Sequence, residues 1–188
     1  MRIVTALRER PRGRVEIELD GSTWRLAPAD AVVRSGLAVG RALDRETART
    51  FARELRRAEA LQVAVRALRH RDHSRQRLAE RLSGRAGAAD ALDALERAGL
   101  LDDGRVAGSR ATGLAGRGFG DAAIRARLEA EGFTGEAVAG ALAALEPESA
   151  RARALLEADA GPRALRRLAA KGFDPSTLED VAGFADGA

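Results

Sequence analysis

Residues 99–133 read GLLDDGRVAGSRATGLAGRGFGDAAIRARLEAEGF. The punctuation of this stretch decides the fold. Gly99 suits the left-handed conformation that closes a helix, which glycine alone reaches cheaply. Asp102 or Asp103 then caps a new helix, because a short carboxylate accepts hydrogen bonds from the unpaired N–H groups of the first turn. Gly113, Gly116, Gly118 and Gly120 are expected to break that helix into a corner. Ile124 and Leu128 lie four apart and share one face of the helix that follows. Gly132 ends it, and Phe133 begins the next segment.

Segments on both sides look like worn copies of this stretch. Leu78, Leu82 and Leu92 recur one unit later as Ile124, Leu128 and Val138, at a common offset. Ser74 stands where Gly120 stands and is a natural N-cap. Further on, Leu165 and Leu168 precede Lys171-Gly172-Phe173, an echo of Glu131-Gly132-Phe133; the first unit has Ala86-Gly87 at the same corner. Pro147 and Pro162 mark the start and the interior break of the last unit. Each unit reads as three helices, a longer one and then two joined at the corner. So small a unit buries little alone and needs its neighbours. The expectation is a mainly α chain. An N-terminal β-hairpin and helical segment occupy 1–58, and three tandem three-helix repeats follow over 59–99, 100–145 and 146–188, in an elongated, curved array.

Upstream, residues 14–26 read RVEIELDGSTWRL. Val15, Ile17 and Leu19 alternate with Arg14, Glu16 and Glu18, the period of a strand with one buried face. Asp20-Gly21 suits a two-residue primed turn, where both positions need positive φ. Trp24 and Leu26 alternate on the returning strand. A lone hairpin is marginal in water and should pack on something. Trp24 reads as a hairpin-face residue, with ligand stacking as the alternative. Pro28 and Gly36 bound a short helix, Leu37, Val39 and Leu43 surround Gly40 in a loop, and Asp44 caps a helix from about Arg45. Residues 45–71 are compatible with one helix or two.

The composition fits this reading. The chain has 188 residues, 45% apolar and 32% charged but only 3% aromatic, the profile of an Ala- and Leu-rich helical protein. There is no cysteine, hence no disulfide and no thiolate metal site. No apolar run reaches the ~18 residues that span a bilayer, and MRIVTALRER has no apolar core of a secretion signal. A cytoplasmic location is expected. The net charge is +4, and Lys171 is the sole lysine, so arginine carries the positive charge. A planar guanidinium suits phosphate and carboxylate.

Catalytic chemistry finds little support. His70 and His73 lie three apart, but no third His or Cys completes a metal site. The run Gly113–Gly120 has the composition of a phosphate loop, yet it follows a helix and no Lys-Ser/Thr comes after it. Asp102 and Asp103 lack an accompanying nucleophile or base. No catalytic residue, metal or cofactor is therefore assigned. The charge runs say more. Residues 66–85 carry Arg66, Arg69, Arg71, Arg75, Arg77, Arg81 and Arg85 against Asp72 and Glu80. Arg163, Arg166, Arg167 and Lys171 follow helical spacing, and Arg125 and Arg127 lie on the middle helix of the second repeat. These last six are the candidate partner-binding residues. The plain alternative is a solvated helix face; a row recurring from unit to unit would instead make a groove for a polyanion or an acidic surface.

At this point the residues resemble a known family. Leu101, Asp102, Asp103, Arg105 and Ala107 match LDD-x-R-[FY]-A, and Gly120, Ile124, Leu128, Gly132 and Phe133 match G-x-x-x-I-x-x-x-L-x-x-x-G-[IF]. Joined to the hairpin and repeats, this is similar to the RecX regulatory proteins of bacteria over roughly residues 1–185. Val106 stands where the family has an aromatic, and Gly104 takes a helix-forming position. The resemblance implies a non-enzymatic regulator of the RecA recombinase. Such a protein binds RecA and its single-stranded DNA filament, lowers ATPase and strand exchange, and tunes recombination, DNA repair and the SOS response. It implies a monomer with no membrane partner, with DNA itself as a further partner. The rival reading is a general nucleic-acid-binding helical-repeat protein using the same arginines on phosphate.

Overall fold

The computed structural model describes residues 2–158 and 162–185. Strands β1 (Arg2–Arg10), β2 (Arg14–Leu19) and β3 (Ser22–Pro28) precede α1 (Ala29–Arg34), β4 (Ala42–Leu43) and α2 (Arg45–Leu68). Then come α3 (Arg75–Arg81), α4 (Ala88–Arg97), α5 (Asp103–Ala115), α6 (Asp121–Ala130) and α7 (Gly135–Ala143). The last helices are α8 (Glu148–Ala158), α9 (Pro162–Ala170) and α10 (Pro175–Ala185). The chain divides into two compact units, Met1–Arg71 with Leu78–Leu101, and Asp72–Arg77 with Asp102–Ala188.

In the first unit the expected hairpin is β2–β3, turned at Asp20 (φ 49°) and Gly21 (φ 81°). It belongs to a larger sheet. The sheet is antiparallel in the order β3-β2-β1-β4. The N-terminal segment, read above only as lacking a signal core, is strand β1, joined to β2 through Arg12 (φ 65°) and Gly13 (φ 66°). Its period-2 pattern is hidden because the register slips between Val4 and Ala6. Only Val4 of this strand is fully buried. Leu43, expected in a loop, pairs with Arg2 in β4.

Val4, Ile17 and Leu19 pack with Phe51 and Leu55 of α2. The Trp24 ring lies 5.4 Å from that of Phe51, so Trp24 is a sheet-face residue held on a helix. Each large side chain removed from water here contributes about 1.5–3 kcal/mol.

The region 45–71 contains a single helix, α2, over Arg45–Leu68. It contains neither Gly nor Pro, and Asp44 caps it by accepting the Thr47 N–H at 2.7 Å. It continues through residues 58 and 59. Glu54 and Arg57 are buried on it, and each is paired: Arg57 with Asp30 at 3.0 Å, Glu54 with Arg34 at 3.3 Å. A second cluster in this unit joins Ala64 and Ala67 to Leu78, Leu82, Leu92, Leu95 and Leu101.

In the second unit, α5–α7 close around Val106, Ala111, Ile124, Leu128, Phe133 and Val138. Helices α8–α10 close around Ala152, Leu168, Phe173, Leu178 and Val181. The leucine correspondence read from sequence is therefore a core correspondence: Leu78, Leu82, Ile124, Leu128 and Val138 are all 0% exposed. The expected corner lies at Gly116–Gly120, where α5 ends at its C-cap Gly116, Gly118 takes φ 74° and Gly120 precedes α6; Gly113 alone departs from expectation. Gly113 lies inside α5, as do Gly104 and Gly108, and Gly116 keeps right-handed geometry at the C-cap. Interior glycines cost about 1 kcal/mol each, but the buried face of Val106, Ala107, Ala111 and Leu114 carries the helix past them.

Candidate partner-binding surface

The second unit is assembled by contacts that recur. Asp102 and Asp103 cap two different helices. Asp102 caps its own α5, accepting the Arg105 N–H at 2.9 Å. Asp103 turns away and accepts the Arg75 N–H at 2.8 Å, at the start of α3. Glu148, first residue of α8, also reaches across to a neighbouring helix. It accepts the Asp121 N–H of α6 at 2.6 Å and, through its other oxygen, the Asp174 N–H at 3.2 Å. Each carboxylate satisfies an N–H that a helix start leaves unpaired.

The corners recur as well. Ser74 donates to the Glu131 carbonyl at 2.6 Å and accepts the Arg77 N–H at 3.2 Å, so the expected N-cap also grips the corner before Gly132. Arg77 adds a bond to the Ala130 carbonyl at 2.7 Å. At the next joint the Gly120 N–H donates to the Lys171 carbonyl at 3.0 Å. Phe133 is buried. Arg105 is exposed, 3.9 Å from an equally exposed Asp72, and such a pair contributes little.

Around Phe119 the cationic side chains gather. Arg127 of α6 lays its guanidinium 3.9 Å from the ring centre, and the Lys171 ammonium stands 5.5 Å from it. Lys171 also donates to the Arg117 carbonyl at 2.8 Å, and Arg127 to the Ala123 carbonyl at 3.2 Å. Beneath them Arg151 of α8, only 10% exposed, donates to the Phe119 and Glu146 carbonyls at 3.0 Å each and to the Asp121 carboxylate. Its own guanidinium lies 5.8 Å from the Phe173 ring. A cation on a ring face is worth about 0.5–1 kcal/mol when exposed.

Arg127 of α6 and Lys171, in the turn just after α9, therefore come together from positions distant in sequence. Arg163, Arg166 and Arg167 are exposed on α9, opposite the buried Ala164 and Leu168. Arg163 and Arg166 form no ion pair with a described residue. Arg125 is exposed two positions from Arg127, and so points to another side of α6. Sequence reasoning missed Phe119, Glu148 and Arg151. The acid at the first position of α8, matching Asp103, was a usable signal for Glu148; nothing in the local pattern singles out Arg151. Among the described residues no cluster of three or more His, Cys, Asp or Glu could hold a metal, and no helix is long and apolar enough to cross a membrane.

No family model matches the chain. A regulatory protein RecX of Xanthomonas axonopodis pv. citri is 31% identical over 156 residues, which are 75% of this chain and 96% of the relative. The regulatory protein RecX of Xanthomonas oryzae pv. oryzae (strain MAFF 311018) is 30% identical over 156 residues, 75% of this chain and 98% of the relative. A crystal structure of regulatory protein RecX superposes with a TM-score of 0.80 at 19% identity, covering 97% of this chain and all of that one. The crystal structure of RecX from Lactobacillus salivarius gives a TM-score of 0.61 at 15% identity, over 71% of this chain and 98% of that one. At such identities the two structures speak for the fold alone.

Proposed function

This chain belongs to the RecX family of regulatory proteins, and from that premise we propose that it inhibits the RecA recombinase by binding RecA and its single-stranded DNA filament. On this reading it lowers RecA's ATPase and strand exchange, modulating recombination, DNA repair and the SOS response. It acts in the cytoplasm as a monomer, with no catalytic residue and no cofactor. Its helices form three consecutive three-helix units, 59–99, 100–145 and 146–188, behind the N-terminal segment 1–58.

One observation carries the choice of surface. Arg127 and Lys171 converge on Phe119 while Arg163, Arg166 and Arg167 stand exposed on α9. The carboxylates of that neighbourhood are already engaged: Asp121 by Arg151, and Glu148 by two backbone N–H groups. Arg163 and Arg166, which form no ion pair with a described residue, are left to meet an acidic partner. Arg125 is proposed as a partner contact too, on another side of α6.

The test is co-sedimentation with RecA filaments and with bare single-stranded DNA at two salt concentrations. A RecA regulator binds the filament better than bare DNA at both. A general nucleic-acid binder holds bare DNA as well as filament, and loses both steeply with salt, log K falling by about 0.7 per phosphate neutralised on single strands.

A further inference from the structure

In the first unit a cleft of about 1080 Å³ opens between the β1–β2 turn and the second half of α2. One wall carries Arg10, Arg12 and Arg14, the other Arg66 and Arg69. Among the described residues Glu16 is the sole carboxylate lining it, and Arg10 already holds that group through Nε at 3.2 Å and a terminal nitrogen at 3.1 Å. Arg12, Arg66 and Arg69 form no ion pair with a described residue. Arg14 donates to the Leu26 carbonyl at 2.9 Å, but its Nε–H is buried with no partner.

Sequence geometry explains the cleft. Gln62, Arg66 and Arg69 stand at i, i+4 and i+7, one face of α2. Leu61 and Val65 run beside them, half-buried, and Leu26 faces them from β3 at 46% exposure. Apart from Glu16 and the Gln62 amide, every polar side chain in the lining is arginine. Arginine donates hydrogen bonds and accepts none.

We propose that this cleft binds the phosphate backbone of a single strand of nucleic acid. A phosphodiester backbone presents oxygen acceptors and no donors, which matches a donor-only lining. An acidic peptide brings an N–H at every residue, and the lining has almost nothing to accept them. The volume lies at the upper limit of small-molecule sites, about 1,000 Å³, and the cleft is open to solvent, so a polymer fits better than a metabolite. A single strand bends into a two-walled cleft; a duplex, stiff over ~150 base pairs, does not. Contacts to phosphate alone carry no sequence information, so binding is blind to sequence. Leu61 and Val65 offer apolar contact to the sugars. This site is separate from the α6 and α9 surface and does not depend on the RecA reading.

The experiment uses the full chain, no RecA, and a fluorescent 20-nucleotide dT strand. Fluorescence anisotropy is read at ~50 and ~200 mM salt, with circular dichroism melting as the check on folding. The double variant Arg66→Glu/Arg69→Glu is expected to weaken binding at least tenfold at low salt. It should also flatten the salt dependence by about 0.7 in log–log slope for each arginine–phosphate pair removed. On the opposite wall Arg12→Asn, which suits the left-handed turn, is expected to weaken binding severalfold with unchanged melting. Polyglutamate of matched charge should compete poorly. Wild-type affinity in the folded double variant, or equal competition by polyglutamate, would overturn the proposal.

Discussion

Gly120 and Gly172 meet backbone to backbone: a Cβ placed on Gly120 would stand 2.3 Å from the Gly172 carbonyl oxygen. That oxygen also accepts the Ala122 N–H at 3.2 Å, beside the bond from Gly120 to Lys171. From the other side, a Cβ on Gly172 would stand 2.5 Å from the Ala123 Cβ. The start of α6 and the end of α9 thus close on each other with no room for a side chain. Lys171 is held at this joint, and with it the cationic ring around Phe119.

Gly172→Ala should destabilise the protein by about 1–3 kcal/mol or more, since it combines overpacking with a side chain at φ 82°. Gly120→Ala meets only the steric part, because its φ is −80°. Gly135→Ala is the control, with nothing within 4 Å of the added carbon. Chemical denaturation of the three variants checks the order; equal midpoints would contradict the joint.

The two adjacent aspartates should fail differently. Asp102→Ala removes the cap of α5 and is expected to cost about 0.5–2 kcal/mol. Asp103→Ala should cost a similar amount but act on α3. Hydrogen exchange separates them, with faster exchange at the Arg105 N–H in the first variant and at the Arg75 N–H in the second.

Replacing Arg151 by Leu leaves the Phe119 and Glu146 carbonyls without their donor. The Phe119 carbonyl is part-buried and the Glu146 carbonyl exposed, so each lost bond costs about 0.5–1.5 kcal/mol, and thermal unfolding should shift down beyond the ±0.5 kcal/mol of an ordinary surface change. A melting temperature equal to that of the wild type would show that the arginine is ornamental.

The pH dependence has a definite sign. The Thr47 N–H, and then its hydroxyl, hold the Asp44 carboxyl below its ordinary value of 3.8. Ser176 does the same for Asp174, first through its hydroxyl and then its N–H. A carboxyl lowered in the folded state adds stability above its unfolded pKa and loses it as pH falls through the folded value. Stability should therefore fall below about pH 4, where these groups protonate. Asp44→Asn keeps a good cap and should flatten that acid limb while leaving neutral-pH stability nearly unchanged, as read by urea midpoints across pH.

Much of this was legible in the residues. The recurring Leu78/Leu82 and Ile124/Leu128 pairs marked the cores, because a buried helix face must repeat at helical spacing. Asp20-Gly21 marked its turn by the φ values it demands. Strand β1 was hidden by a bulge that breaks its alternation, and the last residues of α5 were hidden because buried packing at Leu114 carries the helix past Gly113. The cationic site was half visible. Spacing along α9 shows which arginines share a side, but only the fold brings Arg127 and Lys171 to one ring, or turns Asp103 toward another helix.

The most direct measurement is RecA-driven strand exchange and ATPase with increasing amounts of this protein, comparing wild type with Arg163→Glu/Arg166→Glu. That variant is preferred because these two arginines are exposed and unpaired among the described residues, whereas Arg127 and Lys171 also hold Phe119 in place. The expected result is inhibition by the wild type and markedly weaker inhibition by the variant at physiological salt, with equal melting temperatures. Inhibition by the variant equal to wild type would contradict the assigned surface, and strand exchange untouched by the wild type would contradict the function itself.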